Sequence, residues 1–297
     1  MAVSRRNVTE LLEHPETVWD LMPGSVASVT RADAIYHSDM RDSWIDANQM
    51  RTLRNLVFHR KATQLLLQDL PVRAVILELG SGVGFDADLV MAQHPEISAY
   101  LLSEISPELV SYAKRSNPHL SADSRVIPCC LDGDDLLLES SQVDRILLVA
   151  ALHHLPNLSK ALAEMDRVCR PGARLIFAME PNRFWLALIA RLRPVYRRFF
   201  AKKAVSAADE EAEGFVPSDF VEMARTHGWK LDHLVPVWFL AGFVHQGLEA
   251  FHRLFRLKRR LVLPFVLERL ILALDRLFFG VPGSARLAWH YTVVFQK

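Results

Sequence analysis

Cysteine is scarce in this chain, and that scarcity limits how the fold can be held together. The chain has 3 cysteines in 297 residues. Cys129 and Cys130 are adjacent in a predicted buried strand, so we expect thiols in a reducing cytoplasm rather than disulfides. No cysteine and histidine residues have the spacing of a zinc site, and we expect no metal. The chain is long enough, and at 51% hydrophobic residues apolar enough, to bury a sizeable core.

An excess of charge of either sign is also missing. The 35 lysines and arginines nearly balance the 34 aspartates and glutamates, which gives a formal net charge of +1. A chain this hydrophobic and this neutral is not intrinsically disordered. We likewise expect no attraction of the whole molecule to nucleic acid, because such proteins usually carry a clear positive excess.

Long apolar runs are absent as well. The apolar runs in the C-terminal half are shorter than the roughly 18 residues that a membrane-spanning helix needs. Arg5 and Arg6 are not followed by an apolar segment, so we expect no secretory signal. We therefore expect a cytoplasmic protein, with peripheral contact to a membrane surface as an alternative for its basic amphipathic helices.

The most informative segment present is 75–84, which reads Val-Ile-Leu-Glu-Leu-Gly-Ser-Gly-Val-Gly. It predicts a buried strand, a tight glycine turn that a ligand can approach closely, and then a helix. A dinucleotide-binding turn would need Gly-x-Gly-x-x-Gly, but Phe85 occupies its last position. Glu78 also suits a ligand with a cationic amino group better than a phosphate. The segment resembles motif I of the class I S-adenosylmethionine (SAM) methyltransferases.

Later segments follow the order of that family and strengthen the resemblance, which covers roughly residues 60 to 180. It implies SAM as the cofactor and an α/β fold with a doubly wound, seven-stranded, mostly parallel sheet. The segments are the strand 99–104 ending at Glu104, the helix start Ser106-Pro107, the strand 125–132 ending at Asp132, the strand 143–149 with the turn 152–155, and Pro171-Gly172 before the next strand.

The resemblance also implies which residues hold the cofactor. Glu104 would accept from the ribose hydroxyls, and Asp132 would accept from the adenine amino group, with Asp134 and Asp135 as alternatives. Tyr36 resembles a tyrosine that many relatives fold over the cofactor. The complete expected set is Glu78, Gly80, Ser81, Gly82, Gly84, Glu104, Ile105, Asp132, Gly133, Val149 and Tyr36.

Four regions are predicted along the chain. Residues 1–70 form a helical cap with amphipathic helices at 8–12 and 53–67, and residues 71–240 form the SAM-binding core. Residues 241–287 form a helical insertion rich in Phe, Leu and Arg, and 288–297 supply the final strand. We expect the insertion to be a lid, with membrane-surface contact or a homodimer contact as alternatives. The acidic segment 207–214 is predicted to be a loop. A helix at 217–227, ended by Gly228, and a strand at 229–240 are predicted after it.

The acceptor is predicted from the expected walls of its pocket. These walls are mostly aromatic and aliphatic, which favours a hydrophobic small molecule such as a polyketide, quinone or lipid-like compound. Because the methyl group of SAM is already activated, in-line alignment is the main requirement, and O-methylation is favoured. A base is needed only for an acidic proton; His153 and His37 are the candidates, with packing as the alternative for His153. The expected wall residues are Trp44, His154, Glu180, Asn182, Phe184 and Trp185.

Two other functions stay open. The segment 183–203 contains seven basic residues and no acidic one, so it could follow RNA phosphates as part of an RNA methyltransferase. Against this, its basic residues alternate with large apolar ones, and no Asn-Pro-Pro-Tyr signature is present. The second alternative is a catalytically silent SAM-binding scaffold.

Overall fold

The computed structural model describes residues 4–23, 34, 52–199, 214–255, 257 and 261–297. Of the predicted cap, residues 4–23, 34 and 52–70 are therefore described. Three residues of the predicted site, Tyr36, His37 and Trp44, lie outside this part of the chain, as does most of the predicted loop 207–214.

Eight strands form one sheet in the order β1-β4-β3-β2-β5-β6-β8-β7. Neighbouring strands are parallel except that β8 runs antiparallel to both β6 and β7. This confirms the predicted fold class. The strands are β1 (Trp19–Leu21), β2 (Val75–Leu79), β3 (Ala99–Glu104), β4 (Val126–Leu131), β5 (Val143–Val149), β6 (Cys169–Pro181), β7 (Lys230–Val237) and β8 (His290–Gln296).

Helices cover both faces of the sheet, because alternate residues of each buried strand point to opposite sides. In β2, Ile76 belongs to the apolar cluster on the face covered by α2, α3 and α4, whereas Leu77 belongs to the cluster on the face covered by α1, α6 and α8. The helices are α1 (Val8–Leu12), α2 (Leu53–Leu67), α3 (Phe85–Met91), α4 (Pro107–Ser116), α5 (Pro118–Ser121), α6 (Leu158–Val168), α7 (Arg183–Phe199), α8 (Pro217–His227), α9 (Leu240–Leu254) and α10 (Phe265–Phe279), with 3-10 turns at Leu152–His154 and Ser284–Leu287.

The predicted helices at 8–12 and 53–67 are confirmed as α1 and α2. The edge strand β1 was not predicted: it is only 3 residues long and pairs with β4, so the cap region adds an eighth strand to the sheet. The predicted strand 229–240 is shorter, at Lys230–Val237. Trp238 has a φ of +56°, which interrupts the extended backbone before α9 begins at Leu240.

The insertion consists of α9 and α10, and it is anchored at two places. Glu268 of α10 pairs with Arg54 of α2, and both side chains are buried. Near the start of α9, an aromatic cluster joins Trp185, Trp238 and Trp289, with the rings of Trp185 and Trp289 stacked at 4.5 Å. The insertion is therefore packed against both the cap and one end of the sheet. Within the described residues, no helix is long and apolar enough to cross a bilayer.

The three cysteines are buried free thiols. Burial raises the pKa of Cys130 and of Cys169 to about 12, and that of Cys129 further still. These thiols stay protonated and contribute to the core as small apolar side chains.

Candidate active site

The glycine turn after β2 has a backbone that L side chains rarely adopt. Gly80, Gly82 and Gly84 have φ values of +75°, +54° and +79°. A Cβ at Gly80 would lie 2.9 Å from the Cβ of Ala151, and one at Gly84 would lie 2.8 Å from Asn117 Nδ2. A Cβ at Gly82 would meet no atom of the described residues within 4 Å. Packing therefore requires Gly80 and Gly84, whereas Gly82 presents open backbone to a ligand.

The end of β3 holds this turn in place. The amides of Gly80 and Ser81 both donate to the carbonyl of Ser103, at 3.0 and 2.9 Å. The Glu104 carboxylate accepts from the amide of Gly82 at 2.8 Å and from that of Ile105 at 3.0 Å. A carboxylate thus stands beside the open glycine. The Ser81 hydroxyl is buried there and has no hydrogen-bond partner among the described residues.

Glu78 lies behind the turn, on the face of the sheet that α2 and α3 cover. Tyr100 donates its hydroxyl hydrogen to Glu78 Oε2 at 2.7 Å. Burial raises the pKa of the Glu78 carboxyl well above its usual range, and the nearby Asp86 and Glu104 add to the rise. Asp86 itself lies 2.9 Å from Nδ1 of His59. Glu78 is therefore a buried acid whose charged form a cationic ligand would stabilise.

Asp132 follows β4 at the same edge of the sheet. Its side chain is buried, and its Oδ1 accepts from the amide of Asp134 at 3.0 Å. Burial, and then the Asp132 carboxyl, raise the pKa of Asp134. A Cβ at Gly133 would lie 2.6 Å from Leu155 Cδ2, so this loop packs closely on the turn that follows β5. Asp132 and Asp134 both remain candidates for contact with an adenine.

The turn after β5 contains a histidine held by a carboxylate. Val149 ends β5, and the chain then turns at Ala150, which has a φ of +53°. Glu180 is completely buried; its Oε1 accepts from the amides of Ala151 and Leu152, at 3.2 and 3.0 Å. Its Oε2 accepts from the amide of His153 at 3.2 Å and lies 2.8 Å from His153 Nδ1. Because a carboxylate only accepts, His153 carries a hydrogen on Nδ1, and Nε2 is the ring nitrogen that accepts a proton when the imidazole is neutral.

Two expected wall residues, Glu180 and Asn182, use their polar side-chain atoms in hydrogen bonds within the fold. The four hydrogen bonds to Glu180 use both of its oxygens to fix the histidine turn, so it offers no free acceptor to a pocket. Asn182 is buried at the start of α7, where its amide donates to the carbonyls of Arg286 and Ala288 and its Oδ1 accepts from the amide of Phe184. The sequence located both residues near the site but did not show that their polar atoms are consumed by the fold.

The two aromatic wall residues on α7 differ in burial. Trp185 is buried, stacks on Trp289 and donates its ring N–H to the carbonyl of Leu287 at 3.1 Å. Phe184 remains half exposed, with its ring 4.8 Å from that of Trp185. Of the two predicted wall residues on α7, Phe184 is therefore the one whose exposed apolar surface can contact a ligand.

Two further histidines lie near His153, and sequence reasoning missed them. His290 begins β8 directly opposite Pro181, the last residue of β6, so it lies at the same edge as the glycine turn. The ring of Trp238 lies 5.6 Å from that of His290 and 5.5 Å from that of His245 on α9. Burial, followed by His245 and His153, lowers the pKa of His290 to about 3, so its imidazole is neutral at physiological pH.

No sequence spacing links these histidines, since 45 residues separate His245 from His290. His154 completes the group, with its ring 4.2 Å from that of His153. In the described part of the chain, no group of three or more histidine, cysteine or acidic residues has an arrangement that could hold a metal ion.

A family model described as "Methyltransferase domain" matches residues 77–177. That span contains the glycine turn, Glu104, Asp132 and the histidine turn. This part of the chain is a methyltransferase domain, similar to those of the class I SAM-dependent methyltransferases. SAM is the cofactor of this family.

Relatives of this methyltransferase domain are named for unrelated acceptors. The malonyl-[acyl-carrier protein] O-methyltransferase of Methylococcus capsulatus is 30% identical over 127 residues, which is 43% of each chain. The human tRNA N(3)-cytidine methyltransferase METTL6 is 28% identical over 109 residues, which is 35% of this chain and 38% of that one. The chain thus spans less than half the length of these relatives.

A solved structure of the [4+2]-cyclase SpnF has the same fold, with a TM-score of 0.57 at 14% identity over 90% of this chain and 93% of that one. At this identity the likeness shows the fold alone. Because that neighbour is named as a cyclase, what the present methyltransferase domain does to its acceptor must be argued from its own site.

Proposed function

We propose that the chain transfers the methyl group of SAM to a hydrophobic small-molecule acceptor, with oxygen as the favoured nucleophile. The observation that carries the proposal is the glycine turn: Gly82 presents open backbone directly beside the Glu104 carboxylate. An open glycine turn next to a carboxylate, at the carboxyl edge of parallel strands, is where this fold class binds nucleoside-like ligands.

The residues at this edge fit SAM. Glu104 would accept from the ribose hydroxyls, and Asp132 or Asp134 from the adenine amino group. The buried Ser81 hydroxyl supplies a further polar contact. Glu78 accepts a hydrogen bond from Tyr100, but no positive charge lies beside it among the described residues. The cationic amino group of the methionine part would stabilise its charged form. When bound, SAM supplies a methyl group that its sulfonium has already activated.

The protein's task is then to align the acceptor and to take its proton. His153 is suited to the second task, because Glu180 fixes its ring and leaves Nε2 to accept a proton when the imidazole is neutral. A hydroxyl of the acceptor would lose its proton to that nitrogen as its oxygen bonds to the methyl carbon; the bond between that carbon and sulfur would break, and S-adenosylhomocysteine would leave. Neutral His290 would orient the acceptor rather than act as the base, since an imidazole with a pKa of about 3 binds protons weakly.

A hydrophobic acceptor is supported by the side chains around this edge. Phe184 of α7 and Phe243 of α9 are both partly exposed, and the ring of each contacts Trp185, at 4.8 and 5.1 Å. An apolar aromatic wall with a few convergent imidazoles is typical of small-molecule sites. The relative named as an O-methyltransferase favours oxygen as the nucleophile.

Methylation of RNA is the second candidate, because one relative is named as a tRNA methyltransferase and α7 is basic at Arg183, Arg191, Arg193, Arg197 and Arg198. Affinity for RNA from phosphate contacts should fall steeply with salt. A tRNA-binding assay at 50 and 200 mM salt therefore separates the two functions: a large loss over that range favours RNA, and no binding at 50 mM removes it.

The cofactor part is tested by calorimetry with SAM, S-adenosylhomocysteine and NAD. We expect SAM and its demethylated product to bind and NAD not to bind. Replacing Glu104 with Gln should weaken SAM affinity roughly 10- to 100-fold, since hydrogen bonds to a charged group contribute about 1.5–3 kcal/mol. Glu108→Gln, an exposed change on α4, is the matched control. Equal SAM affinity of Glu104→Gln and wild type would remove the ribose role from Glu104.

The transfer step is tested by release of S-adenosylhomocysteine with a panel of phenols, quinols and long-chain hydroxy esters. His153→Ala should lower the rate about 10²- to 10⁴-fold, as expected for loss of a general base, with unchanged SAM affinity. His119→Ala, at an exposed histidine, is the control. SAM binding with no transfer to any acceptor of the panel or to RNA would instead favour a silent scaffold.

A further inference from the structure

Helix α10 turns its acidic side chains inward. Glu268 and Asp275 are both buried. Glu268 pairs with Arg54 and also accepts from the backbone amide of that residue at 3.3 Å. Asp275 accepts from the amides of Phe239, Leu240 and Ala241 at 3.0, 2.6 and 3.2 Å, and so caps the start of α9. The polar face of α10 is thus used to anchor the insertion.

The opposite face of α10 is apolar and exposed, which inverts the usual arrangement of a surface helix. Val266 is 78% exposed, Leu270 54%, Leu277 72% and Val281 58%. The spacing of four, seven and four residues places these side chains in one stripe along the helix and its C-terminal extension. We call this stripe, together with Phe265 and Leu274, the α10 face. Exposed apolar residues continue at both ends of the preceding connection, at Phe251, Leu254, Phe255, Leu261 and Val262.

Among the described residues on and next to α10, the exposed charges have one sign. Between residues 250 and 287 the chain has eight lysines and arginines but only two acidic residues, which are Glu268 and Asp275. Both acids are buried, whereas Arg269, Arg276 and Arg286 are exposed, so the described part of this segment presents positive charge to solvent. The basic residues are Arg253, Arg256, Lys258, Arg259, Arg260, Arg269, Arg276 and Arg286.

We propose that the α10 face docks on an anionic membrane surface, with its apolar side chains among the acyl chains and its basic residues at the lipid headgroups. An apolar stripe flanked by arginines and lysines is the pattern of helices that lie in the membrane interface. Basic residues near an anionic leaflet are attracted to its surface charge. An apolar patch of this kind on a soluble monomer marks an interaction site.

A second copy of the chain fits the α10 face less well. In a two-fold dimer the same surface meets itself, so the exposed Arg269 and Arg276 of both copies would be brought into one interface. Like charges brought together in this way oppose association. An anionic bilayer satisfies both the apolar stripe and the basic rim.

Docking would also place the candidate active site near the lipid. Helix α9 packs on α10 and carries both His245 and Phe243, which belong to the wall described above. This step rests on the proposed function: the acceptor would then be a lipid-like molecule taken from the bilayer. Binding of the protein to the membrane does not depend on it.

Sedimentation with vesicles tests the docking. Wild-type protein should sediment with vesicles of phosphatidylcholine containing 30% phosphatidylglycerol at 100 mM salt, and bind at least tenfold more weakly to phosphatidylcholine alone. The double variant Leu270→Ser/Leu277→Ser should lose at least tenfold in partitioning, because two large apolar side chains no longer enter the interface. The variant Arg269→Gln/Arg276→Gln should bind anionic vesicles more weakly than wild type does, but should bind phosphatidylcholine vesicles as wild type does. The control Val72→Ser/Val221→Ser changes two exposed valines on other elements and should bind as wild type.

Three results would overturn the docking proposal. These are no sedimentation of wild type with anionic vesicles, equal sedimentation of wild type and Leu270→Ser/Leu277→Ser, and a wild-type dimer in light scattering that this variant abolishes without any vesicle binding. SAM calorimetry on the same variants shows that they are folded. It also separates the proposals, because vesicle binding without SAM binding contradicts the proposed function and leaves the docking surface intact.

Discussion

At the scale of single residues, the charged form of Glu78 destabilises the empty fold but is suited to bind a cationic group of the ligand. Its folded pKa is raised above the ordinary value of 4.5, first by burial and then by Asp86. The folded protein therefore retains a proton that the unfolded chain has lost, so stability falls as pH rises from about 4.5 towards the folded pKa. Glu78→Gln should remove this pH dependence while still accepting the hydrogen bond from Tyr100.

Urea denaturation between pH 5 and 8 measures this effect. We expect Glu78→Gln to be more stable than wild type at pH 8 without cofactor, and to bind SAM more weakly because the cationic amino group loses its carboxylate. Glu108→Gln should change neither quantity. A variant less stable than wild type at pH 8 would show that ionised Glu78 is well accommodated by its surroundings.

The sequence located part of this site because that part is local. Glu78, the three glycines and Glu104 belong to short segments whose strand, turn and helix signals agree, and the structure brings them to one edge of the sheet. His245 and His290 could not be found in this way, since they meet His153 only through the folding of the insertion and β8. Glu180 was placed near the site, but its use as the carboxylate that holds His153 depends on hydrogen bonds that no sequence pattern encodes.

At the scale of elements, α9 depends on one glycine for its position. A Cβ at Gly242 would overlap the indole ring of Trp289, which is itself stacked on Trp185. Gly242→Ala should therefore destabilise the protein by about 1–3 kcal/mol, as overpacking usually does. In the same helix, a Cβ at Gly247 would meet no described atom within 4 Å. Gly247→Ala should stabilise by about 0.5–1 kcal/mol, because alanine favours a helix.

Chemical denaturation of the two alanine variants provides a matched comparison within one helix. Opposite signs are expected, and a loss in stability for both would mean that α9 requires glycine for a reason other than Trp289.

Helices α8 and α9 differ in how well the sequence predicts where they begin and end. Helix α8 was predicted to its last residue from Pro217 and Gly228, which are local signals. The start of α9 was assigned to a strand, because its cap, Asp275, comes 35 residues after Leu240.

At the scale of the whole molecule, residues far apart in sequence join the cap to the insertion. Arg54 in α2 and Glu268 in α10 form a pair that is almost fully buried, 214 residues apart. Burial lowers the pKa of Arg54, while Glu268 opposes that shift. The free-energy cost of removing the two charges from water therefore offsets much of their mutual attraction. We therefore expect the pair to position α10, and hence the α10 face, more than it stabilises the fold.

Single and double variants test this expectation. Glu268→Ala should cost about 3–5 kcal/mol, because it leaves the guanidinium buried without its carboxylate, whereas Arg54→Met/Glu268→Met should be neutral or more stable by about 1–4 kcal/mol. The exposed pair Glu222–Arg225 on α8 is the control, and its removal should change stability little. If the double variant is as unstable as Glu268→Ala, the pair itself stabilises the junction. If the double variant is stable yet binds anionic vesicles like wild type, the packing of α10 on α2 alone suffices to present its apolar face.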